Sequence, residues 1–150
     1  MKPTPDKWIC DVCGEEIKSV NDGYLIWAKS EEHYDYDFLI IHQSKCDTNQ
    51  DKYVNSLPLS MLVGQDGLSY LLSFVSDGPY HLGEDRVSKK KVVSIDEFVD
   101  LVRRLHLPYY EQARHKFGIP EVMNFYSDSS PSNLYMVSTL QDIADEKHRL

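Results

Sequence analysis

Cysteine is scarce: the chain of 150 residues holds three, an odd number. Disulfide scaffolds pair their cysteines and form in oxidising compartments, so this count excludes a small secreted disulfide framework. Long apolar runs are missing as well. No stretch approaches the roughly 18–20 apolar residues of a membrane-crossing helix, and the opening "MKPTPDKWIC" has no apolar segment of signal-peptide type. Basic residues are the minority, 16 Lys and Arg against 24 Asp and Glu, and the formal charge of −8 opposes attraction to nucleic-acid phosphates or an anionic membrane. These absences lead to the expectation of a water-soluble, cytoplasmic protein. Catalytic signatures are also lacking. There is no Walker loop, dinucleotide-binding glycine fingerprint, G-x-S-x-G elbow or H-E-x-x-H helix, and the six histidines stand in no familiar pairing with Ser, Asp or Glu. No catalytic residue is assigned.

What is present is the material of a folded domain. An apolar fraction of 41% with 27% charged residues is ordinary for a globular chain. A domain of this length buries about 68–70% of the surface its unfolded chain exposes. The charge is uneven: residues 79–118 carry eight Lys and Arg against six acids. Any contact with a polyanion is therefore expected in the basic 86–116 stretch, with a solvated face as the plainer reading.

The first half reads as short strands and the second as helices. "GYLIWAK" (23–29) and "DFLIIH" (37–42) are rich in β-branched and aromatic residues, and the polar "SEEHYDY" between them suits the loop of an antiparallel hairpin. Ser56 before Leu57 and Pro58 reads as an N-cap opening a short helix to about Val63, stopped by Gly64. In 65–78, Leu68, Leu71, Leu72 and Val75 recur at helical spacing with Tyr70 and Phe74 on a second face, which predicts a helix central to the core. Ser94 and Glu97 form a capping-box pattern ahead of Ile95, Phe98, Val99, Val102 and Leu105, leaving Asp96, Asp100, Arg103 and Arg104 on a wet face. A further helix is expected from Pro108 to Phe117, with Pro120 preventing its resumption. The serine-rich 127–133 segment reads as a loop, and Leu134 to Ala144 as a last helix. The fold class expected is α+β, with a β-hairpin module at 1–52 packed on a bundle of four or five helices at 53–150.

The chemistry lies in "KWICDVCGEEI" and "IIHQSKC", which together give Cys10-x2-Cys13-x28-His42-x3-Cys46 and use every cysteine in the chain. A redox Cys-x-x-Cys normally follows a strand and opens a helix, whereas Gly14 and a β-rich segment follow here. A Cys3His set is a recognised structural zinc arrangement, with tetrahedral ligands at about 2.3 Å for sulfur and about 2.0–2.1 Å for nitrogen. The expected metal ligands are Cys10, Cys13, His42 and Cys46, with His33 the available substitute for His42. A closed set of four leaves no position for substrate, so the expected Zn2+ is structural.

This pattern resembles the treble-clef class of zinc modules: a Cys-x-x-Cys-Gly knuckle, a β-hairpin, then a second ligand pair near the start of a helix. The resemblance covers residues 8–50. It departs from the commonest form in having His-x3-Cys as the second pair, and "DTNQDKYV" after Cys46 is a weak helix former. HNH-type nucleases share the frame, and that likeness would imply a catalytic histidine at a hairpin strand end, where only His42 stands. The order of parts, with "GQDGLSYLL" and "RRLHLPYYEQAR" behind the module, also resembles small bacterial proteins and implies no biochemistry.

The candidate contact surface is "RRLHLPYYEQARHKF" (103–117), which gathers Arg103, Arg104, Tyr109, Tyr110 and Arg114. Tyr and Arg dominate protein interfaces, although Tyr110, Ala113 and Phe117 at helical spacing also read as a buried face. The expected function is a non-catalytic, zinc-stabilised protein-interaction or adaptor role. The alternative is nucleic-acid binding through the basic stretch, and the third reading an HNH-like nuclease.

Overall fold

The residues around the Cys10–Cys13 turn build the first ladder. The computed structural model describes residues 5–46, 50–76, 78 and 91–147. Strands β1 (Trp8–Ile9) and β2 (Glu16–Ile17) pair antiparallel, Trp8 opposite Ile17 and Ile9 opposite Glu16. Each has two residues, too few to leave a periodic signal in the sequence.

The apolar run at 23–29 becomes the centre of the main sheet. Strand β3 (Gly23–Lys29) lies between β4 (Asp35–His42) and β5 (Asn55–Pro58), antiparallel to both. Leu25, Ile26, Trp27 and Ala28 are all buried, so both faces of β3 are covered, as a continuous apolar run requires. The ladder between β3 and β4 shifts register between Ile26 and Ala28, and Asp37 opposite this irregularity takes a positive φ of 58°. Short polar side chains tolerate that left-handed conformation better than most.

Ser56, Leu57 and Pro58 form this edge strand and not the expected helix. Leu57 pairs with the buried Leu25, and Pro58, which has no N–H to donate, ends a strand at the sheet edge. Strand β5 begins just past residues 52 and 53 and joins the sheet of the N-terminal part.

Among the described residues there are six α-helices: α1 (Gly64–Leu72), α2 (Ile95–His106), α3 (Tyr110–Arg114), α4 (Pro120–Phe125), α5 (Pro131–Leu134) and α6 (Val137–Ala144). The protein is therefore α+β, with its strands in the N-terminal half and most of its helices C-terminal. None of these helices is long and apolar enough to cross a membrane.

Three helices differ from expectation. Helix α1 buries Gly67 and Leu71, followed by Phe74, while Leu68, Tyr70 and Leu72 face outward, so it covers the sheet on one side only. Pro120 does not prevent a helix but opens α4 at a first-turn position, where its missing N–H costs nothing. Within the expected loop at 127–133, Ser130 accepts a hydrogen bond from Asn133 N–H and caps α5.

Helix α2 starts where its sequence says. Ser94 Oγ accepts from Glu97 N–H at 3.2 Å, but the Glu97 carboxylate does not return to Ser94. It accepts instead from Asp37 N–H at 2.6 Å, tying the helix start to β4. The inward stripe is Phe98, Leu101 and Leu105 with Arg104 beside it, while Ile95 is exposed.

Two apolar clusters result. The first holds the sheet, α1 and α2 together, with Trp27, Phe38 and Phe74 in mutual ring contact and Phe98 against Phe38 and Phe74, at centroid distances of 5.4–6.2 Å. The second comprises Tyr110, Ala113, Val122, Leu140 and Ile143 from α3, α4 and α6. Between them the chain turns at Leu107 to Tyr109, where Tyr109 has a φ of 67°.

Candidate metal centre

Local hydrogen bonds build the turn that carries the first ligand pair. Cys10 N–H donates to Glu15 O and Gly14 N–H to Cys10 O, both at 2.9 Å. Val12 N–H points at Cys10 Sγ, 3.4 Å away. Gly14 closes this turn at a φ of 76°, a conformation that side chains resist. The knuckle is then strapped to β4: Asp11 N–H donates to Ile40 O, and Ile40 N–H donates to Asp11 Oδ2, each at 2.8 Å. That strap sets the distance from the knuckle to His42, two residues farther along the same strand.

The second pair is delivered by the end of β4 and a tight turn. Ser44 takes a φ of 65°, and Lys45 N–H donates to Gln43 O at 2.6 Å, so the chain folds back and Cys46 faces the knuckle. His42 Nε2 lies 3.0 Å from the Glu16 carbonyl oxygen. A carbonyl only accepts, so Nε2 carries the proton and Nδ1 presents its lone pair. Nδ1 lies 3.4 Å from Cys13 Sγ and 3.6 Å from Cys46 Sγ.

The ligand atoms of Cys10, Cys13, His42 and Cys46 all lie within 4.8 Å of one another, a group positioned to hold a metal ion. Cys10 and Cys46 are buried, Cys13 is exposed and His42 is half-buried. His33, the expected substitute, sits in the loop joining β3 to β4, at the far end of the hairpin from the Gly23–His42 pair. It is not part of the cluster.

The electrostatics are those of a site that wants a cation. Burial works against ionisation of Cys10, but hydrogen bonds from Cys13, Val12 and His42 outweigh it and hold the thiol down to about 6. Burial and the sulfurs of Cys13 and Cys10 push Cys46 up to about 11. Packed sulfurs cannot all be thiolates without a positive charge among them, either protons or a metal.

The expected contact surface turns inward. Arg104 is 4% exposed, a correction to the wet face assigned to it, because its partners come from distant parts of the chain. Its Nε and Nη2 donate to the two carboxylate oxygens of Glu111, both at 2.8 Å, its Nη1 to Asp11 Oδ2 at 2.8 Å, and Nη2 also to Ile9 O at 3.1 Å. Its charge is held well above the usual guanidinium range, since ion pairs with Glu111 and Asp11 more than offset burial.

Tyr110 is buried too, donating its hydroxyl to Asp100 and packing on Phe117 and Tyr135. Arg103 lies over the Tyr135 ring, 3.7 Å from its centroid. Arg114 is within ion-pair range of Glu111 and Asp100 at 3.6 and 3.7 Å. Tyr109 is half-buried. Of the five, Arg104 and Tyr110 are buried, and Arg103 and Arg114 are engaged with Tyr135 and with Glu111 and Asp100. Of the basic stretch, Arg86, Lys89 and Lys90 lie outside the described residues.

Sequence reasoning passed over Trp8, Asp11 and Glu111. Trp8 Nε1–H donates to Arg104 O at 3.0 Å, and Glu111 Oε2 accepts from Ile9 N–H at 3.0 Å. The available signal was Asp11 inside the Cys-x-x-Cys motif, an acid where a metal knuckle does not require one. No family model matches the chain, nor does any curated protein or solved structure.

Proposed function

We propose that this is a non-catalytic adaptor protein whose N-terminal half is held together by one structural zinc ion and whose partner is another protein. The observation that carries the zinc reading is the spacing of donor atoms. A tetrahedral zinc with sulfur at about 2.3 Å and nitrogen at about 2.0–2.1 Å separates the two donors by about 3.6 Å. His42 Nδ1 stands at 3.4 and 3.6 Å from its two sulfur neighbours. Three thiolates and an imidazole are the donors zinc prefers, and four ligands close its shell. When bound, the ion would supply charge neutralisation and a cross-link, with Cys10, Cys13, His42 and Cys46 holding it.

The knuckle, the hairpin and the two ligand pairs support the treble-clef-like reading of the 8–50 module. The helix that usually follows in that class has no counterpart among the described residues after Cys46, which turn and enter β5. A protein partner is supported by the exposed apolar side chains Met123, Phe125 and Met136, at 59%, 61% and 54%, on α4 and at the start of α6. Nucleic acid is disfavoured by the net charge of −8 and by the engagement of Arg103, Arg104 and Arg114 with rings and acids of the same chain. A cytoplasmic location is part of this reading, since a reducing compartment keeps unpaired thiols available to a metal.

Elemental analysis of the purified full-length protein tests the reading. About one zinc per chain is expected, with Cys13→Ser losing both the ion and the NMR dispersion of the Cys10–Cys13 knuckle and the Gln43–Cys46 turn. A metal-free, well-folded wild type overturns it. Native affinity capture with a retained protein supports the adaptor role, whereas a salt-sensitive shift of a short duplex in a gel transfers the function to nucleic-acid binding.

A further inference from the structure

The knuckle is bonded to the helical half through an ionic cluster of unusual completeness. Arg104 comes from α2 and Glu111 from α3, while Asp11 sits between two of the candidate metal ligands. Four hydrogen bonds cross from the knuckle segment to the helices: Trp8 Nε1 to Arg104 O, Ile9 N to Glu111, Arg104 Nη1 to Asp11, and Arg104 Nη2 to Ile9 O. Arg104 and Glu111 are 4% and 3% exposed. The Asp11 carboxylate also accepts from Ile40 N–H on β4, the strand that carries His42. Beyond this cluster, α3, α4 and α6 pack around an apolar cluster of their own, separate from the sheet core.

We propose that this network makes metal loading of the knuckle and docking of the α3–α6 lobe one coupled equilibrium, so that the ion controls how the lobe is held. The proposal rests on the zinc reading above. The logic is that of linkage. A metal fixes Cys10 and Cys13, and with them Asp11 and the Ile9 carbonyl, which are acceptors for a buried guanidinium. When the knuckle relaxes, Arg104 keeps its charge in a dry site with half its partners gone, a state that buried ions strongly disfavour. The lobe, tied to Arg104 through Glu111, then keeps only its knuckle-independent ties to α2, Tyr110 and Arg114 on Asp100 and Tyr135 under Arg103, and is loosened while the sheet core remains. Reciprocity requires that weakening the network weaken metal binding by the same factor.

Hydrogen-exchange mass spectrometry on the full-length protein, zinc-loaded and chelator-stripped, tests this without any substitution. Exchange in residues 110–114 and 137–144 is expected to rise about tenfold or more on stripping, while residues 23–29 stay protected. The companion variant is Asp11→Asn, which keeps the shape and the Ile40 contact but removes the charge. Its zinc affinity, read by competition with a chromophoric chelator, is expected to fall about tenfold. Lys52→Ala, which removes a partly exposed pair with Asp37 toward the end of β4 away from His42, should leave that affinity within about twofold.

Lobe exchange that is indifferent to zinc, lobe and sheet released in equal measure, or an Asp11→Asn affinity within about twofold of wild type overturns the coupling and leaves the zinc reading standing. A wild type that takes up no zinc overturns both.

Discussion

Replacing Glu111 by Gln exchanges a single atom in the described polar interior and should cost far more stability than an ordinary surface change. The side chain is 3% exposed, and its two oxygens accept three hydrogen bonds at 2.8–3.0 Å, from Arg104 Nε, Arg104 Nη2 and Ile9 N. An amide offers one acceptor where the carboxylate offered two. Whichever way it is flipped, its NH2 faces an N–H donor, of Arg104 alone or of Arg104 and Ile9 together.

The charge is lost as well. A guanidinium and a carboxylate about 4 Å apart in an effective dielectric of about 20 attract by about 4 kcal/mol, and breaking a buried pair by removing one partner typically costs about 3–5 kcal/mol. Asp11 cannot substitute, because it faces a different edge of the guanidinium and its side chain is already 20% exposed. The expected loss is therefore about 3–5 kcal/mol, or about 6–20 °C in Tm for a chain of this size.

Urea unfolding of zinc-loaded protein at a fixed free-zinc concentration measures it, since a bound ion otherwise shifts apparent stability by mass action. The control is Arg104→Met combined with Glu111→Leu, which removes both buried charges and should restore most of the loss. A Glu111→Gln loss under about 1 kcal/mol, or a double variant as unstable as the single, refutes the assignment of these charges as mutually compensating.

Two further outcomes are expected. Gly67→Ala should destabilise by about 1–3 kcal/mol, although Ala ordinarily favours a helix over Gly by about 1 kcal/mol: a Cβ there would stand 2.2 Å from the Leu62 carbonyl carbon. A thermal melt that rises or holds steady in this variant contradicts the packing of α1 on the turn before it. Zinc uptake near neutral pH should release protons, because burial and the neighbouring sulfurs keep Cys46 a thiol there, pushed up to about 11. Affinity must then fall as pH is lowered from 8 to 6, and calorimetry in two buffers of different ionisation enthalpy that finds no proton release contradicts this.

The metal cluster was legible in the sequence because its four ligands are chemically distinctive and occur in two short pairs. So was the start of α2, since Ser94 and Glu97 act within one turn. What misled was context supplied from far away. "SLPL" carries an N-cap and an early proline, but those same residues suit an edge strand, and only the partner strand with Leu25 and Tyr24 decides between them. Arg104 belongs to the polar side of α2 by helical spacing, next to Asp100 and Arg103. Its burial depends on Asp11 and Glu111, 93 and 7 residues away, and no local period encodes such a pairing. Leu68, Tyr70 and Leu72 followed an apolar period that the structure does not bury, for the sheet offers α1 a single face.

The six residues "WICDVC" divide their chemistry by position, and that division bears on what the protein does. Cys10 and Cys13 turn their sulfurs toward His42 and Cys46, while Trp8, the Ile9 backbone and Asp11 turn toward α2 and α3. One short segment thus touches the metal site, the sheet core and the ionic cluster together. The exposed Met123, Phe125 and Met136 lie on α4 and at the start of α6, within the lobe. On the coupling proposed above, a partner gripping those side chains would bind a lobe whose docking is linked to Arg104, and through Asp11 and Ile9 to a knuckle that a bound metal would shape. Loss of the ion would then weaken partner binding without touching the interface, and a substitution at Asp11 would do the same with the ion in place.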